Sequence, residues 1–219
     1  MISVKAPRIA SPPVIDADWD KSIWRGADPV LLEHYMGDRP AHFPSTQVKI
    51  AYDDQAIYVI FRVDDRYVRA VAAGCQDSVY KDSCVEFFFA TDAESPADYF
   101  NLEVNCGGTM LFQFHRAADG ACIEIPESQC RRIEIAASLP KIIDPEISEP
   151  TTWTVEYRLP LDILRPYCGV TEPADGGAWR ANFYKCADDS SHPHWLTWAP
   201  VDNPTPNFHL PEFFGVLEF

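Results

Sequence analysis

The chain is poor in glycine and in basic residues. Of its 219 residues 10 are Gly and 18 are Lys or Arg, against 33 Asp or Glu, for a formal net charge of −15. A phosphate backbone needs a basic stripe on its partner, so the charge balance excludes nucleic-acid binding. An anionic bilayer surface makes the same demand and is disfavoured with it. No apolar run is long enough to cross a membrane as a helix. The opening MISVKAPRIASPPVIDADWD lacks the apolar stretch of a secretory leader. The expected compartment is therefore the cytoplasm, or the outside for a mature secreted or periplasmic form whose leader has been trimmed. GxSxG, Walker, HExxH and GxGxxG patterns are all missing, which removes the common hydrolase, nucleotide-binding and metalloprotease readings. No two cysteines stand in a CxxC spacing, so zinc-ribbon and thioredoxin-like chemistry has no support. The seven cysteines, at 75, 84, 106, 122, 130, 168 and 186, cannot all pair within one chain. They read mostly as small buried apolar groups in a reduced chain.

What is present is hydrophobic, aromatic and punctuated. Hydrophobic residues make up 47% and aromatics 13%, enough to bury a full core and to exclude global disorder. Nineteen prolines break the chain into short segments, which argues against long helices. The dominant period is two. Residues 46–52 put Val48, Ile50 and Tyr52 on one face, and residues 56–64 do the same with Ile57, Val59, Phe61 and Val63, so the pair reads as a hairpin around Asp53–Asp54–Gln55. Residues 84–90, 98–106 and 109–116 alternate in the same way, with Gly107–Gly108 as a two-residue hairpin signal. Later strands are expected at 131–136, 152–159, 178–186 and 213–219. In 178–186, Ala181, Phe183 and Lys185 oppose Arg180, Asn182 and Tyr184. Short helical turns are expected at 160–164 and within 15–24. Residues 117–130 and 139–150 read as long surface connections. The whole predicts one all-β domain over residues 1–219, an antiparallel β-sandwich or jelly roll of about ten strands.

Three constellations can carry chemistry. The first is Tyr80, Lys81 and Asp82, polar groups that run straight into the strand at 84–90 and would sit at a sandwich rim. A turn that caps a strand end has the same pattern. The second is the polar face of the 84–116 strands, where Glu86, Asn101, Glu103, Asn105, Gln113 and His115 oppose the phenylalanines. Carboxylates and amides suit sugar hydroxyls, which both donate and accept. A plain solvated sheet face alternates in the same way. The third is the proline-rich run 192–215, which holds Trp195, Trp198, Phe208, Phe213 and Phe214. A pre-ordered aromatic loop is a platform for the apolar face of a sugar ring.

Other signals are weaker. His192 and His194 have a His-x-His spacing but no evident further ligands. Asp53–Asp54, Asp64–Asp65 and Asp188–Asp189 could offer oxygens to calcium, although turn chemistry explains them equally well. A glycoside-active enzyme would need two carboxylates facing one bond, roughly 5–5.5 Å or 6.5–9.5 Å apart. Asp82 and Glu86 lie about 13 Å apart on an extended strand and do not fit. Glu86 with Glu103 would fit only in the right register.

On these residues the chain resembles the family 9 carbohydrate-binding modules, and most of all the stand-alone family 9-like proteins of bacteria that degrade polysaccharides. The matching stretches are IDADWDKSIW at 15–24, VKIAYDDQAIYVIFRVDD at 48–65, VYKDSCVEFFF at 79–89, YFNLEVNCGGTML at 99–111, WTVEYRLPLDIL at 153–164, WRANFYKC at 179–186 and the closing NFHLPEFFGVLEF. The resemblance implies a jelly-roll sandwich that binds carbohydrate at its rim, a sugar terminus or short oligosaccharide clamped between two aromatic rings, in polysaccharide catabolism and in association with a glycoside hydrolase. Carried over, the first ring is Tyr80, where the family usually has Trp, with Lys81 and Asp82 beside it. The second ring is Trp198, with Trp195 next. Asn207 and His209 are polar partners, and Glu86 and Asn105 join them. A structural calcium ion is a common companion in that family. The alternatives are a glycoside-active enzyme using Glu86, Glu103 or Asp82, and a haem-binding cytochrome-like domain of the wider sandwich superfamily. For haem, Met110 and His115 are five residues apart and so face opposite sides of their strand.

Overall fold

The computed structural model describes residues 1–94, 96–174 and 176–219. Two large sheets face each other across one hydrophobic layer. The first sheet is built in the order β1 (Ser3–Lys5), β16 (Gly215–Glu218), β14 (Ala178–Cys186), β7 (Cys84–Ala90), β8 (Tyr99–Asn105), β9 (Met110–Arg116) and β10 (Ala121–Glu124). β15 (Trp195–Thr197) pairs with the end of β14 and carries β3 (His34–Tyr35) on its other side. The second sheet runs β11 (Glu134–Ala137), β13 (Thr151–Pro160), β5 (Ala56–Asp65), β4 (Ser45–Tyr52) and β2 (Val30–Leu31). A short ribbon pairs β6 (Val68–Ala70) with β12 (Ile143–Ile147). All pairings between these strands are antiparallel except β1 with β16.

The all-β sandwich expected from the alternation is the fold observed, with sixteen strands among the described residues rather than about ten. The extra strands are short. Two of them, and the one-turn α1 (Glu127–Cys130), fall inside 117–130 and 139–150, so those segments are not simple surface connections. Gly107–Gly108 is not a two-residue turn either. Val104 pairs with Met110, leaving a five-residue loop in which Gly108 takes a positive φ of 84°. A Cβ on Gly107 would stand 2.3 Å from the Lys141 carbonyl oxygen, so the backbone of 139–150 approaches the loop only because no side chain is there.

Period two sorts the aromatics into layers. Phe87, Phe89, Phe100, Phe112, Phe114 and Phe183 face the second sheet, where they meet Val48, Ile50, Val59, Phe61, Trp153 and Val155. Phe87 stacks on Phe183 at 5.1 Å and Phe89 on Trp179 at 5.4 Å, within the usual range for aromatic pairs. The opposite face of the first sheet is apolar too. Phe88, Tyr99, Leu111 and Tyr184 project outward, and the proline-rich C-terminal segment lays Val201, Phe208 and Phe214 over them. For that reason Glu86, Asn101 and Glu103 are buried, not solvated as an ordinary outer face would be. On the second sheet the outer face is closed by residues 15–27. Trp24 is fully buried and donates from Nε1 to Glu156 Oε1 at 3.0 Å. Glu156 Oε2 accepts from the Asp16 and Ala17 N–H groups and from Lys21 Nζ at 2.7 Å. The IDADWDKSIW stretch thus wraps one buried carboxylate.

Candidate functional site

A cavity of about 460 Å³ opens on the outer face of the first sheet, within the range typical of small-ligand pockets. Its floor is the β7–β8–β14 face, with Glu86, Phe88, Glu103 and Cys186. Tyr80 stands on one wall and Trp195 on another, and Asn207, Phe208 and His209 of the C-terminal segment form a third. Each group has a local reason for its position. The 3₁₀ turn Val79–Lys81 lifts Tyr80 above the start of β7 and leaves it more than a third exposed. The Tyr80 carbonyl accepts from the Asp188 N–H at 3.1 Å, tying the turn to the chain beyond β14. Asp188 Oδ1 in turn accepts from Trp195 Nε1 at 2.8 Å, which fixes the indole plane.

The floor is acidic and buried. Register places Glu86 directly opposite Glu103. Such cross-strand partners have Cβ atoms about 4.5–5.5 Å apart, so the two carboxyls face the same small volume. Burial, reinforced by Cys186 and Glu103, holds Glu86 well above the usual carboxylate range. Burial pushes Glu103 up to about 7, a hydrogen bond from Asn101 pulls it down, and Asp188 adds to the rise. One oxygen of each, Oε2, has no protein partner. On the wall, the Tyr99 ring stacks on His115 at 4.7 Å and its hydroxyl lies 3.0 Å from His209 Nδ1.

Of the residues expected from sequence, the structure brings Tyr80, Glu86, Trp195, Asn207 and His209 together around this cavity. Four others stand elsewhere. Trp198 is buried on the opposite face of the sheet, tilted against Phe183 at 5.6 Å, because residues three apart on an extended chain point opposite ways. Asp82 is fully buried, and its Oδ2 accepts from the Val71 and Ala72 N–H groups and from Asn105 Nδ2, each at 2.9 Å. Asn105 also accepts from the Gly107 and Thr109 N–H groups, so Asp82 and Asn105 brace the loop beneath Tyr80 and do not line the cavity. Lys81 turns to Asp189 at 3.4 Å, over a neighbouring cleft.

Gln113 of the polar sheet face lines the cavity too, and so do Gln76, Glu124 and Asp188, which the sequence does not mark as ligands. Asp188 was legible only as one of an acidic pair. Gln76 was hidden by its loop, where it takes φ 71° and its side chain bonds the Phe112 and Ile125 backbone.

The acidic pairs have protein partners. Asp53 caps its hairpin through the Gln55 and Ala56 N–H groups and the Tyr58 hydroxyl. Asp65 meets Lys185 and His42, and Asp188 and Asp189 meet Trp195 and Lys81. These carboxylates do not converge as a calcium site requires. Met110 packs toward the inner layer and His115 on the outer face, as their odd spacing demands, so they cannot share a haem.

A β-sandwich that carries an aromatic-walled, hydroxyl-competent pocket on one sheet has the build of a carbohydrate-binding module. The profile of carbohydrate-binding family 9 matches residues 20–219, and the chain belongs to that family. Among solved structures, a candidate carbohydrate-binding protein from Bacteroides uniformis is 27% identical, with a TM-score of 0.88 over 99% of this chain and 98% of that one. A family 9 module from Caldicellulosiruptor kristjanssonii, solved with cellotriose and again with glucose, is 18% identical with a TM-score of 0.68. The alignments cover 99% of this chain and 93% and 95% of the two neighbours. No curated protein matches the chain. Carbohydrate binding is thus its function class, and neither the haem reading nor the enzyme reading is favoured.

Proposed function

We propose that the cavity holds a terminal sugar unit between Tyr80 and Trp195, with Glu86, Glu103, Asn207 and His209 as partners for its hydroxyls. The observation that carries this reading is the cavity itself: two aromatic walls over a floor of two carboxyls, each with an oxygen that no protein group satisfies. A sugar ring offers what both parts need, an apolar C–H face for the rings and donors for the oxygens. Residues 1–219 act as one module in this reading, because a single inner core draws on residues from Ala6 to Phe219. Its role in this reading is non-catalytic: Glu86 and Glu103, side by side on the floor, serve as hydrogen-bond partners for sugar hydroxyls. Such a module serves polysaccharide breakdown by holding polymer near a partner glycoside hydrolase.

A sugar of about twelve heavy atoms at ~0.3–0.5 kcal/mol each gives a Kd from millimolar to tens of micromolar. Calorimetric titration with glucose and cello-oligosaccharides, the ligands of the structural neighbours, and then with a wider saccharide panel measures it. Tyr80→Ala and Trp195→Ala should each raise Kd about tenfold, near 1.4 kcal/mol. The reading is overturned by a folded protein that binds no saccharide, or by binding that neither variant weakens.

A further inference from the structure

Beneath the sugar pocket lies a second group of donors. Cys84 and Cys186 are direct cross-strand partners on β7 and β14, and Glu86 is the next residue on the same face of β7. The three are 0%, 1% and 2% exposed. Their ligand atoms all lie within 4.8 Å of one another, and Cys186 Sγ is 3.0 Å from Glu86 Oε1. Cys186 and Glu86 line the cavity, while Cys84 does not. Neither thiol is in a disulfide. We propose that Cys84, Cys186 and Glu86 form a binding site for a thiophilic divalent metal ion of the zinc class, entered from the pocket.

Three observations support the site. The Cys186 thiol and two carboxyls share one buried floor with the Cys84 thiol directly behind it, yet Lys185, the cation on the adjoining position of β14, is turned to the other face and engaged by Asp65 and His194. A bound cation supplies the missing positive charge, and a buried carboxyl without it is costly. Second, Glu86 Oε2 is buried without a partner, and so is Oε2 of the facing Glu103. Third, the spacing is right. Zinc bound to two thiolates at about 2.3 Å and a carboxylate oxygen at about 2.0–2.2 Å needs donors about 3.5–3.8 Å apart in tetrahedral geometry, within small side-chain adjustments of the present arrangement. Thiolate sulfur selects zinc-class ions over calcium and magnesium. On binding, each thiol loses its proton to solvent, as does the Glu86 carboxyl where it is protonated, and three metal–ligand bonds form with no change in oxidation state.

Titration of the chelator-treated, reduced protein with cobalt(II) tests the site. The expected result is one equivalent bound with intense near-ultraviolet thiolate-to-cobalt charge transfer, displaced by zinc and untouched by calcium. Cys84→Ser/Cys186→Ser and Glu86→Gln should lose the charge-transfer band or weaken binding at least tenfold. Cys122→Ser, at an exposed cysteine, should change nothing. X-ray absorption of the unmutated zinc-loaded protein guards against misfolded variants and should show two sulfur neighbours. The proposal is overturned by a cobalt spectrum without thiolate bands, by bands that persist in the double variant, by an all-oxygen shell, or by a Cys84–Cys186 disulfide in the native protein. Sugar titration with and without metal keeps this test separate from the sugar site, since binding by the metal-free protein leaves the sugar reading standing whatever cobalt shows.

Discussion

Asp65→Asn probes the buried charge group that joins the two sheets. Asp65 and Lys185 are both inaccessible, with Nζ and Oδ2 3.5 Å apart. The carboxylate also accepts from Trp153 Nε1 at 3.1 Å and the Arg66 N–H at 2.7 Å, and meets His42 Nε2 at 2.7 Å. Burial alone would raise the Asp65 pKa, but Lys185, His42 and His194 outweigh it and hold the group well below the usual carboxylate range. The amide keeps the shape and removes the charge, leaving the Lys185 ammonium buried against His194 Nε2 at 2.8 Å and the Cys186 carbonyl at 3.0 Å. Removing one member of a buried pair costs about 3–5 kcal/mol. At about 2–4 °C per kcal/mol for a chain of this size, the melting temperature should fall by roughly 6–20 °C. Asp65→Asn/Lys185→Met should recover about half of that, because it removes the stranded charge. Scanning calorimetry and urea titration of the four proteins form the double-mutant cycle. A loss under about 1 kcal/mol in Asp65→Asn, or a double variant no better than the sum of the singles, refutes the view that mutual compensation keeps these charges inside.

The same group sets an acid limb. Burial, then Lys185, lowers His194 to about 3, so the folded protein keeps it neutral while the unfolded chain protonates near 6.5. Its contribution is whole above pH 6.5 and is lost as pH falls toward 3, by up to about 5 kcal/mol. Urea midpoints from pH 7 to 4 should show that decline, and His194→Gln should flatten it; an equally steep decline in the variant counts against the assignment. Trp198→Ala should cost about 3–5 kcal/mol in urea unfolding yet leave sugar affinity within twofold, the reverse of Trp195→Ala. A large affinity loss in Trp198→Ala would return that ring to the site. Gly107→Ala should destabilise by about 2 kcal/mol or more, because the Lys141 carbonyl would have to move; an unchanged thermal midpoint would contradict that contact.

Long strands were legible and short ones were not. β4, β5, β7 and β14 each carry several turns of alternation, and the expected 46–52, 56–64, 84–90 and 178–186 differ from the observed bounds by no more than one residue. β2 and β3 have two residues each, too few to show a period, and they exist because distant strands offer free edges. The alternation marks the outer polar face as a face but leaves open whether it is solvated or covered, and it is covered. Phe88 and Tyr184 share it with the acids, and those rings call for the cover that the C-terminal segment supplies. The choice between Trp195 and Trp198 turned on parity. Only the pairing of Trp195 with Cys186 decides which ring looks into the cavity, and that register is a tertiary fact. Glu86 opposite Glu103 was open for the same reason.

The parallel pairing of β1 with β16 has a mechanical meaning. β1 and β16 run side by side in the same direction, with the Val216 N–H bonded to the Ile2 carbonyl and the Ala6 N–H to the Glu218 carbonyl. Tension between the two ends of the chain enters at the start of one strand and leaves at the finish of the other. It therefore slides the strands along each other, loading these hydrogen bonds together rather than peeling them one at a time. Such a load is met at a clamp at one edge of the sheet, from which β14 separates β7 and β8 of the pocket floor.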